Sequence, residues 1–283
     1  MGTLLITGAS SLVGKYLQAE IDPEWTGVLV GRNRPAHLRP HFAWQPLDLE
    51  RDELTALRAD TVIHLAPLPL ISRHIAGLQS IGVTRLVAIG TTSRFTKMYS
   101  DAPADRKIVS DQARAETEIA EHCERQQIAW TVLRPTLVYD GSLDKNVAAI
   151  ARFIRRFGFF PVVGAARGLR QPLYARDLAA ACLAVLDKHK TWNKAYNLAG
   201  AERLTYRAML ERIFVALGKR SRIIQVPRWA VRSALQVAAL HPRYRYLTPA
   251  MADRMNQDMV FEVSDAQRDF GFSPRPFQPE FGD

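Results

Sequence analysis

Short apolar runs alternate with segments of helical spacing through the first half of the chain. Thr3–Thr7 is strand-like, and Leu12–Ile21 follows with apolar residues at helical intervals. Gly27–Gly31 and Phe42–Leu47 are the next strands, and Glu50–Arg58 has a helical pattern. Thr61–Leu65 predicts a strand, Ser72–Ile81 a helix, and Arg85–Gly90 a strand. A long polar–apolar helix is predicted over Asp111–Gln127, then a strand at Trp130–Arg134 stopped by Pro135. Strands that alternate with helices imply right-handed crossovers, a parallel sheet and helices on both its faces.

The rhythm changes after about residue 140. Helices are predicted over Val147–Phe157, Asp177–Lys188, Thr205–Leu217, Trp229–Leu240 and Pro249–Met259, with short strands at Ala195–Leu198 and Ile223–Val226. Gly218 supplies a C-terminal stop for the third of these helices. The fold class expected is therefore α/β: a doubly wound parallel sheet (Rossmann fold) with a smaller mixed α/β C-terminal lobe. The dinucleotide-binding core would span residues 1–140. A substrate-binding lobe over 141–283 would return strands to the core sheet.

Composition narrows the function classes. With 283 residues, 47% of them hydrophobic, the chain can bury a sizeable core. Its two cysteines, Cys123 and Cys182, form no disulfide framework and no metal-ligand spacing, so no metal is expected and a cytoplasmic location is. The glycine turn starts near residue 7, which leaves no room for a leader before it, and no run of about 18 apolar residues predicts a membrane span. The net charge of +10 raises the question of nucleic acid. The basic residues are spread along the chain without a zinc-finger or aromatic RNA-binding motif, so a phosphate-binding pocket is the preferred reading.

The chemistry begins at "LLITGASSLVGKYL". Gly8 allows a tight turn after the strand, and Gly14 allows the helix to pack close to it. The helix start then offers free N–H groups to a pyrophosphate. Ser11 stands where a three-glycine turn has its middle glycine. The second strand ends in "VGRNR", where an acidic residue would bind the ribose hydroxyls of NAD. Arg32 stands there instead and suits a 2′-phosphate, so NADP is expected over NAD. "PLDLE" sets Asp48 after the third strand, within range of an adenine.

In order, "TGASSLVG", "PLDLE", "VIHLAP", "LRPTLVYDG", "RQPLYARDLAAA" and "YNLAG" resemble the NAD(P)-dependent nucleotide-sugar epimerases and dehydratases of the extended short-chain dehydrogenase/reductase superfamily. "DAQRDFGFSPRPF" is similar to that family's closing segment. The resemblance implies that Gly8, Ser10, Ser11, Leu12, Val13 and Gly14 line the pyrophosphate and that Arg32 meets the 2′-phosphate. Asp48 and Leu49 would meet adenine, and Leu65, Ala66 and Pro67 would pass beneath the ribose. Thr91 and Thr92 would end the fourth strand near the nicotinamide, and Pro135 and Thr136 would close over its carboxamide. In the second lobe it implies that Arg170 contacts a substrate diphosphate, with Asn146 and Arg254 as further substrate contacts. On spacing alone, Arg254 is equally an exposed helical arginine paired with Asp258, and Asp177 caps or orients the helix that follows it.

The chain departs from the family at its catalytic pair. The family uses Tyr-x-x-x-Lys on the long helix, where the lysine lowers the tyrosine pKa for proton transfer as hydride moves. Counting back from "LRP", the lysine position falls on Gln112 or Arg114, and the tyrosine position on Ile108 or Ser110. Candidate substitutes are Thr91, Thr92, Lys97 and Tyr99 in "TTSRFTKMYS", while Tyr139 reads as structural. Two functions follow. One is an NADP(H)-dependent enzyme of epimerase/dehydratase type acting on a nucleotide-sugar or similar phosphorylated small molecule. The other is a non-catalytic dinucleotide-binding sensor or assembly factor, as in atypical members of the superfamily. The apolar stretch 227–240 suits burial against the lobe, a homodimer face or a surface leaning on a membrane, with burial the simplest.

Overall fold

The computed structural model describes residues 2–36, 38–96, 98, 103–142, 144–231, 233 and 253–282. The core is a seven-stranded sheet built from β1 (Thr3–Thr7), β2 (Thr26–Gly31), β3 (Phe42–Pro46), β4 (Thr61–His64), β5 (Arg85–Ile89), β6 (Ala129–Pro135) and an edge strand, Lys194–Leu198. The order across the sheet is β3-β2-β1-β4-β5-β6 and then that edge strand, every pair parallel. The order reverses between β1 and β4, and in open α/β sheets ligands bind outside the strand C-termini at such a point.

Alternate residues along each strand enter opposite layers. Leu4, Ile6, Ile63, Val87 and Leu133 face α1 (Leu12–Glu20) and a second helix, Ala175–Ala184. Leu5, Val62, Leu86, Ala88 and Val132 face Ile71, Ile75, Ile119 and Cys123 on the other side. Ile119 and Cys123 lie on a long helix, Pro103–Arg125. The strands are apolar on both faces, as a sheet covered on both sides requires. Arg85 is the exception at the start of β5. It is buried, and it donates to the Val185 and Leu186 carbonyls just past the Ala175–Ala184 helix at 2.8 and 3.1 Å. There a cation also meets the negative end of the helix dipole.

Two predicted helices are not formed. Over Glu50–Arg58 the chain makes turns: the Asp48 and Asp52 carboxylates accept from the Glu50 and Asp48 N–H groups at 3.1 and 2.7 Å, and the Arg51 and Asp52 N–H groups both bond the Asp48 carbonyl. Side chains that bond the backbone locally compete with a helix ladder. Leu54 and Leu57 are buried all the same. Between Ser72 and Ile81 the chain is broken into α2 (Pro69–Ser72) and two 3₁₀ turns, Ile75–Gly77 and Gln79–Ile81. Gly82 closes the segment with φ +92. The long helix begins earlier than its polar–apolar pattern predicts, at Pro103, after the short α3 (Ser93–Thr96). We label it α4.

The second lobe has its own core, in which Tyr139, Ile150, Ile154, Val162, Ile213, Phe214 and Phe277 pack together. Its elements include β7 (Val138–Tyr139), α5 (Val147–Phe157), β8 (Phe160–Val163), β9 (Leu169–Arg170) and β10 (Leu173–Tyr174), followed by the Ala175–Ala184 helix, α6. The edge strand of the core sheet is β11. After it come β12 (Leu204–Thr205), α7 (Tyr206–Ala216), β13 (Ile223–Val226) and α8 (Ser264–Phe270). Thr205 caps α7 by accepting from the Ala208 N–H at 3.0 Å. Tyr139 is structural: its hydroxyl accepts from the Gln278 N–H, and its ring meets Phe277 edge-on at 4.9 Å. Of the helix predicted over Trp229–Leu240, only 229–231 and 233 lie among the described residues. In the Pro249–Met259 stretch, described from 253 onward, only Asp253 and Arg254 are helical. Met259 bridges to Arg170 as an extended residue. Among the described residues no helix is long and apolar enough to cross a membrane, and no cluster of His, Cys, Asp and Glu has the makings of a metal site.

Candidate dinucleotide site

The two ends that flank the order reversal are Gly8, after β1, and Leu65–Pro67, after β4. Gly8 has φ +70, and a Cβ there would lie 2.7 Å from the Ala66 N. A Cβ on Gly14 would lie 2.3 Å from the Ala9 carbonyl oxygen. Both glycines are therefore dictated by close backbone approach. Ser11 needs no such freedom. It sits at φ −72, ψ 167 as the N-cap of α1, and its Oγ accepts from the Gly14 N–H at 3.2 Å. The middle position of the turn has become a capping position. The Gly14 and Lys15 N–H groups are satisfied by Ser11, whereas those of Leu12 and Val13 have no acceptor within the helix. No acidic side chain occupies the first turn. The result is a positively polarised helix start whose Leu12 and Val13 N–H groups suit a pyrophosphate. Gln18 braces it from below, its amide donating to the Ala9 carbonyl at 3.1 Å.

His64 locks the opposite wall. It is completely buried at the end of β4. Its Nδ1 lies 2.6 Å from the Thr7 hydroxyl and its Nε2 3.1 Å from the Pro67 carbonyl oxygen. A carbonyl can only accept, so Nε2 carries the proton and Nδ1 accepts from Thr7. Burial pushes the pKa of His64 down from 6.5 to about 4, so the ring is neutral near pH 7. The "VIHLAP" loop is thereby pinned beside Gly8. A polar residue closing an apolar strand was the available signal for this role.

Arg32 follows β2, exposed and without an ion pair or hydrogen bond among the described residues. Asp48 is half-buried, with one carboxylate oxygen on the Glu50 N–H, and Leu49 is buried. The Leu49 carbonyl accepts from His74 Nε2 at 2.8 Å, which ties this segment to the β4 side of the sheet.

At the ends of β5 and β6 the hydroxyls are largely engaged. Thr92 is buried and donates to the Pro135 carbonyl at 3.0 Å. Thr91 Oγ1 accepts from the Ser93 N–H at 3.0 Å, which leaves its proton free to donate. Thr136 donates to the Gln171 carbonyl at 2.5 Å. Lys97 and Tyr99 lie outside the described residues. On α4, Ser110 is exposed, and Arg114 is exposed and pairs with Asp111 and Glu118. Gln112 turns inward, and its buried Oε1 has no hydrogen-bond partner. Ile108, one turn before Gln112, is exposed, and neither residue is an acid or a base. One turn further, Glu116 is buried and accepts from Arg94 and from Arg134 Nε, the latter at 2.8 Å. Its Oε1 is buried and unpartnered. The spacing of Glu116 from Gln112, four residues on one helix face, was legible. Its two arginine partners were not, because they come from α3 and β6.

The lobe arginines are committed elsewhere. Arg170 is buried and donates to the Leu169, Gln257 and Arg254 carbonyls at 2.8, 2.8 and 2.5 Å, and Tyr206 stacks on its guanidinium. Arg254 pairs with Asp105 of α4 at 2.9 Å, not with Asp258, which instead accepts from the Leu169 N–H. That bond crosses from the lobe to the core. Asn146 is exposed at the start of α5, and the buried Asp144 does the capping there, accepting from Asn146 and Ala148 N–H groups. Asp177 lies in the first turn of α6 and holds Arg275 through its backbone N–H and its Nε.

No protein-family model matches the chain. Among solved structures it superposes on UDP-glucuronic acid 4-epimerase from Bacillus cereus in complex with UDP-glucuronic acid and NAD. The TM-score is 0.75 at 14% identity, covering 97% of this chain and 95% of that one. MoeE5 in complex with UDP-glucose and NAD gives 0.73 at 18%, covering 98% and 94%. dTDP-glucose 4,6-dehydratase from Bacillus anthracis in complex with NAD gives 0.69 at 15%, covering 98% and 92%. These likenesses establish a Rossmann fold of the epimerase and dehydratase type. Two relatives are similar in sequence. An uncharacterised protein of Sinorhizobium fredii, y4nG, is 25% identical over 96% of this chain and 75% of its own length. Subunit 9 of the mitochondrial NADH dehydrogenase [ubiquinone] 1 alpha subcomplex of Arabidopsis thaliana is 22% identical over 78% of this chain, which spans 60% of that subunit.

Proposed function

We propose that this chain binds NADP(H) at the β1–β4 reversal and holds it without running the hydride shuttle of the nucleotide-sugar enzymes. Leu12 and Val13 N–H groups and Ser11 would hold the pyrophosphate, with Arg32 on the adenosine 2′-phosphate, Asp48 and Leu49 near adenine, and Leu65–Pro67 beneath the ribose. Gln112, whose amide oxygen lacks a partner, would accept from a ribose hydroxyl of the nicotinamide half. When bound, the dinucleotide supplies a hydride donor or acceptor at its nicotinamide ring. The observation that carries the reading is the pair of positions Ile108 and Gln112. Neither side chain can give up or take a proton near neutral pH, so neither can do the work of the family's Tyr-x-x-x-Lys pair. The commitment of Arg170 and Arg254 to protein partners points the same way. So does the likeness to a subunit of a respiratory complex, which fits a structural or sensing use of the dinucleotide.

The test is calorimetry with NADPH and NADH, followed by single-turnover absorbance with UDP-glucose, UDP-glucuronic acid and dTDP-glucose. Tight NADPH binding with no change at the nicotinamide band is expected. Failure to bind NADPH refutes the cofactor role, and stoichiometric reduction of bound NADP⁺ refutes the non-catalytic one. A second reading, oxidoreduction of a phosphorylated substrate, is favoured by one feature, the Thr91 hydroxyl proton left free at the end of β5. It assigns proton transfer to Thr91, Thr92, Lys97 or Tyr99 and predicts such a reduction.

A further inference from the structure

The second lobe carries a face that dinucleotide binding does not use. Residues 145–176 contain seven Lys and Arg and no Asp or Glu, and residues 212–231 contain five and none. These two stretches meet in space, because β8 pairs in parallel with β13, Phe160 opposite Ile223. The Phe160 N–H also donates to the Arg222 carbonyl at 2.9 Å. Where α5 runs into β8 the sequence is "RFIRRFGFF". The Phe153 ring centre lies 4.6 Å from that of Phe157 and 5.9 Å from that of Phe159. Phe157 is 52% exposed and Arg156 lies over its ring. Arg156, Lys219, Arg220 and Arg222 are exposed and make no ion pair among the described residues. Arg155, also exposed, spends one donor on the Gly282 carbonyl. The apolar surface continues along β13 with Ile224, 47% exposed, and past it with Trp229, 72% exposed.

We propose that this aromatic, arginine-rich face, where Asp253 pairs with Arg228 beside Trp229, docks the protein on an anionic lipid bilayer. An exposed phenylalanine is costly in water, and arginines beside it are costly in an apolar protein interface. The bilayer–water boundary accepts both, with rings at the acyl edge and guanidinium groups on lipid phosphates. A second copy of the chain is a poor occupant, since a two-fold contact would press two sets of unpaired arginines together. Single-stranded nucleic acid stacks its bases on a series of open rings, whereas here Phe153 and Phe159 are half-buried and pack against Phe157.

The experiment is flotation of the full chain with vesicles of phosphatidylcholine alone or with about 30% phosphatidylglycerol, at about 100 mM salt. Binding to the anionic vesicles only, weakening as salt rises, is expected. Arg155→Glu/Arg156→Glu should reduce partitioning by about tenfold or more, and Phe157→Ser by roughly tenfold. A charge-matched control on exposed arginines away from this face, Arg58→Glu/Arg125→Glu, should change it by less than about threefold. Unchanged melting temperatures and NADPH binding confirm that the variants fold. No flotation of the natural chain, equal binding to neutral vesicles, or equal loss in the control overturns the proposal. Binding to duplex or single-stranded DNA without vesicle binding also overturns it and assigns the face to nucleic acid.

Discussion

The Thr7–His64–Pro67 bridge makes the dinucleotide seat sensitive to acid. His64 is fully buried and neutral, with its pKa held at about 4 against 6.5 in an unfolded chain. Between those values the unfolded state binds a proton that the folded state refuses. This group's stabilisation is therefore complete above about pH 6.5 and is lost as pH falls toward 4. The displacement corresponds to about 3 kcal/mol, with a maximum slope of about 1.4 kcal/mol per pH unit. Carboxylates titrate in the same window, so the effect must be isolated by difference. His64→Gln keeps a donor toward Pro67 and removes the titration. Urea unfolding of both proteins at half-unit steps from pH 7.5 to 4 gives the difference in stability. It should be largest at pH 7.5 and shrink by about 2–3 kcal/mol by pH 4. A protonated His64 also has no acceptor for the Thr7 hydroxyl, so the loop beside Gly8 loosens and NADPH affinity should fall over the same interval. A stability difference that stays flat across that range refutes the neutral buried ring, and with it the proposed latch.

Three further outcomes follow from the same geometry. Gly14→Ala sets a methyl group 2.3 Å from the Ala9 carbonyl oxygen; it should cost about 1–3 kcal/mol in urea unfolding and abolish NADPH binding in calorimetry. Arg32→Ala should weaken NADPH about tenfold while leaving NADH within about twofold, and equal losses would contradict a 2′-phosphate contact. Glu116→Ala leaves Arg94 and Arg134 facing each other without their shared carboxylate, and about 3–5 kcal/mol of stability should go, read by denaturant melts.

Much of the fold was legible because strand and helix periods differ. Thr3–Thr7, Val147–Phe157 and Ile223–Val226 occur at their predicted bounds. Prediction failed where local side-chain chemistry or short-range geometry overrides period. Glu50–Arg58 carries a helical pattern, yet only turns form after Asp48, whose carboxylate and carbonyl take the Glu50, Arg51 and Asp52 N–H groups. The 72–81 segment packs its apolar residues through 3₁₀ turns whose side chains reach the same layer. Strands of two residues, such as β9 and β12, carry no period at all and exist only because they find each other across the lobe.

At the site, what could be read was whatever lies within one strand–turn–helix unit. Gly8, Ser11 and Gly14 are neighbours in sequence, and their roles depend on that local geometry. Arginines were the hardest residues to place, because a guanidinium takes its role from acceptors brought by other elements. Arg170 matches a substrate-contacting position by sequence, but its donors are taken by three carbonyls, one at Leu169 and two from the 254–257 segment. Arg254 is drawn to Asp105, far away in the chain. Arg94 of α3 and Arg134 of β6 converge on one carboxylate, that of Glu116. Tertiary structure thus separates arginines spent on internal acceptors from Arg32 at the β2 tip and from a set without ion pairs among the described residues beside the exposed Phe157 on the second lobe. Arg32 and the set beside Phe157 both have donors still to offer, and they lie far apart in the chain. A ligand with a phosphate at one end answers the first of these, and a surface of many phosphates answers the other.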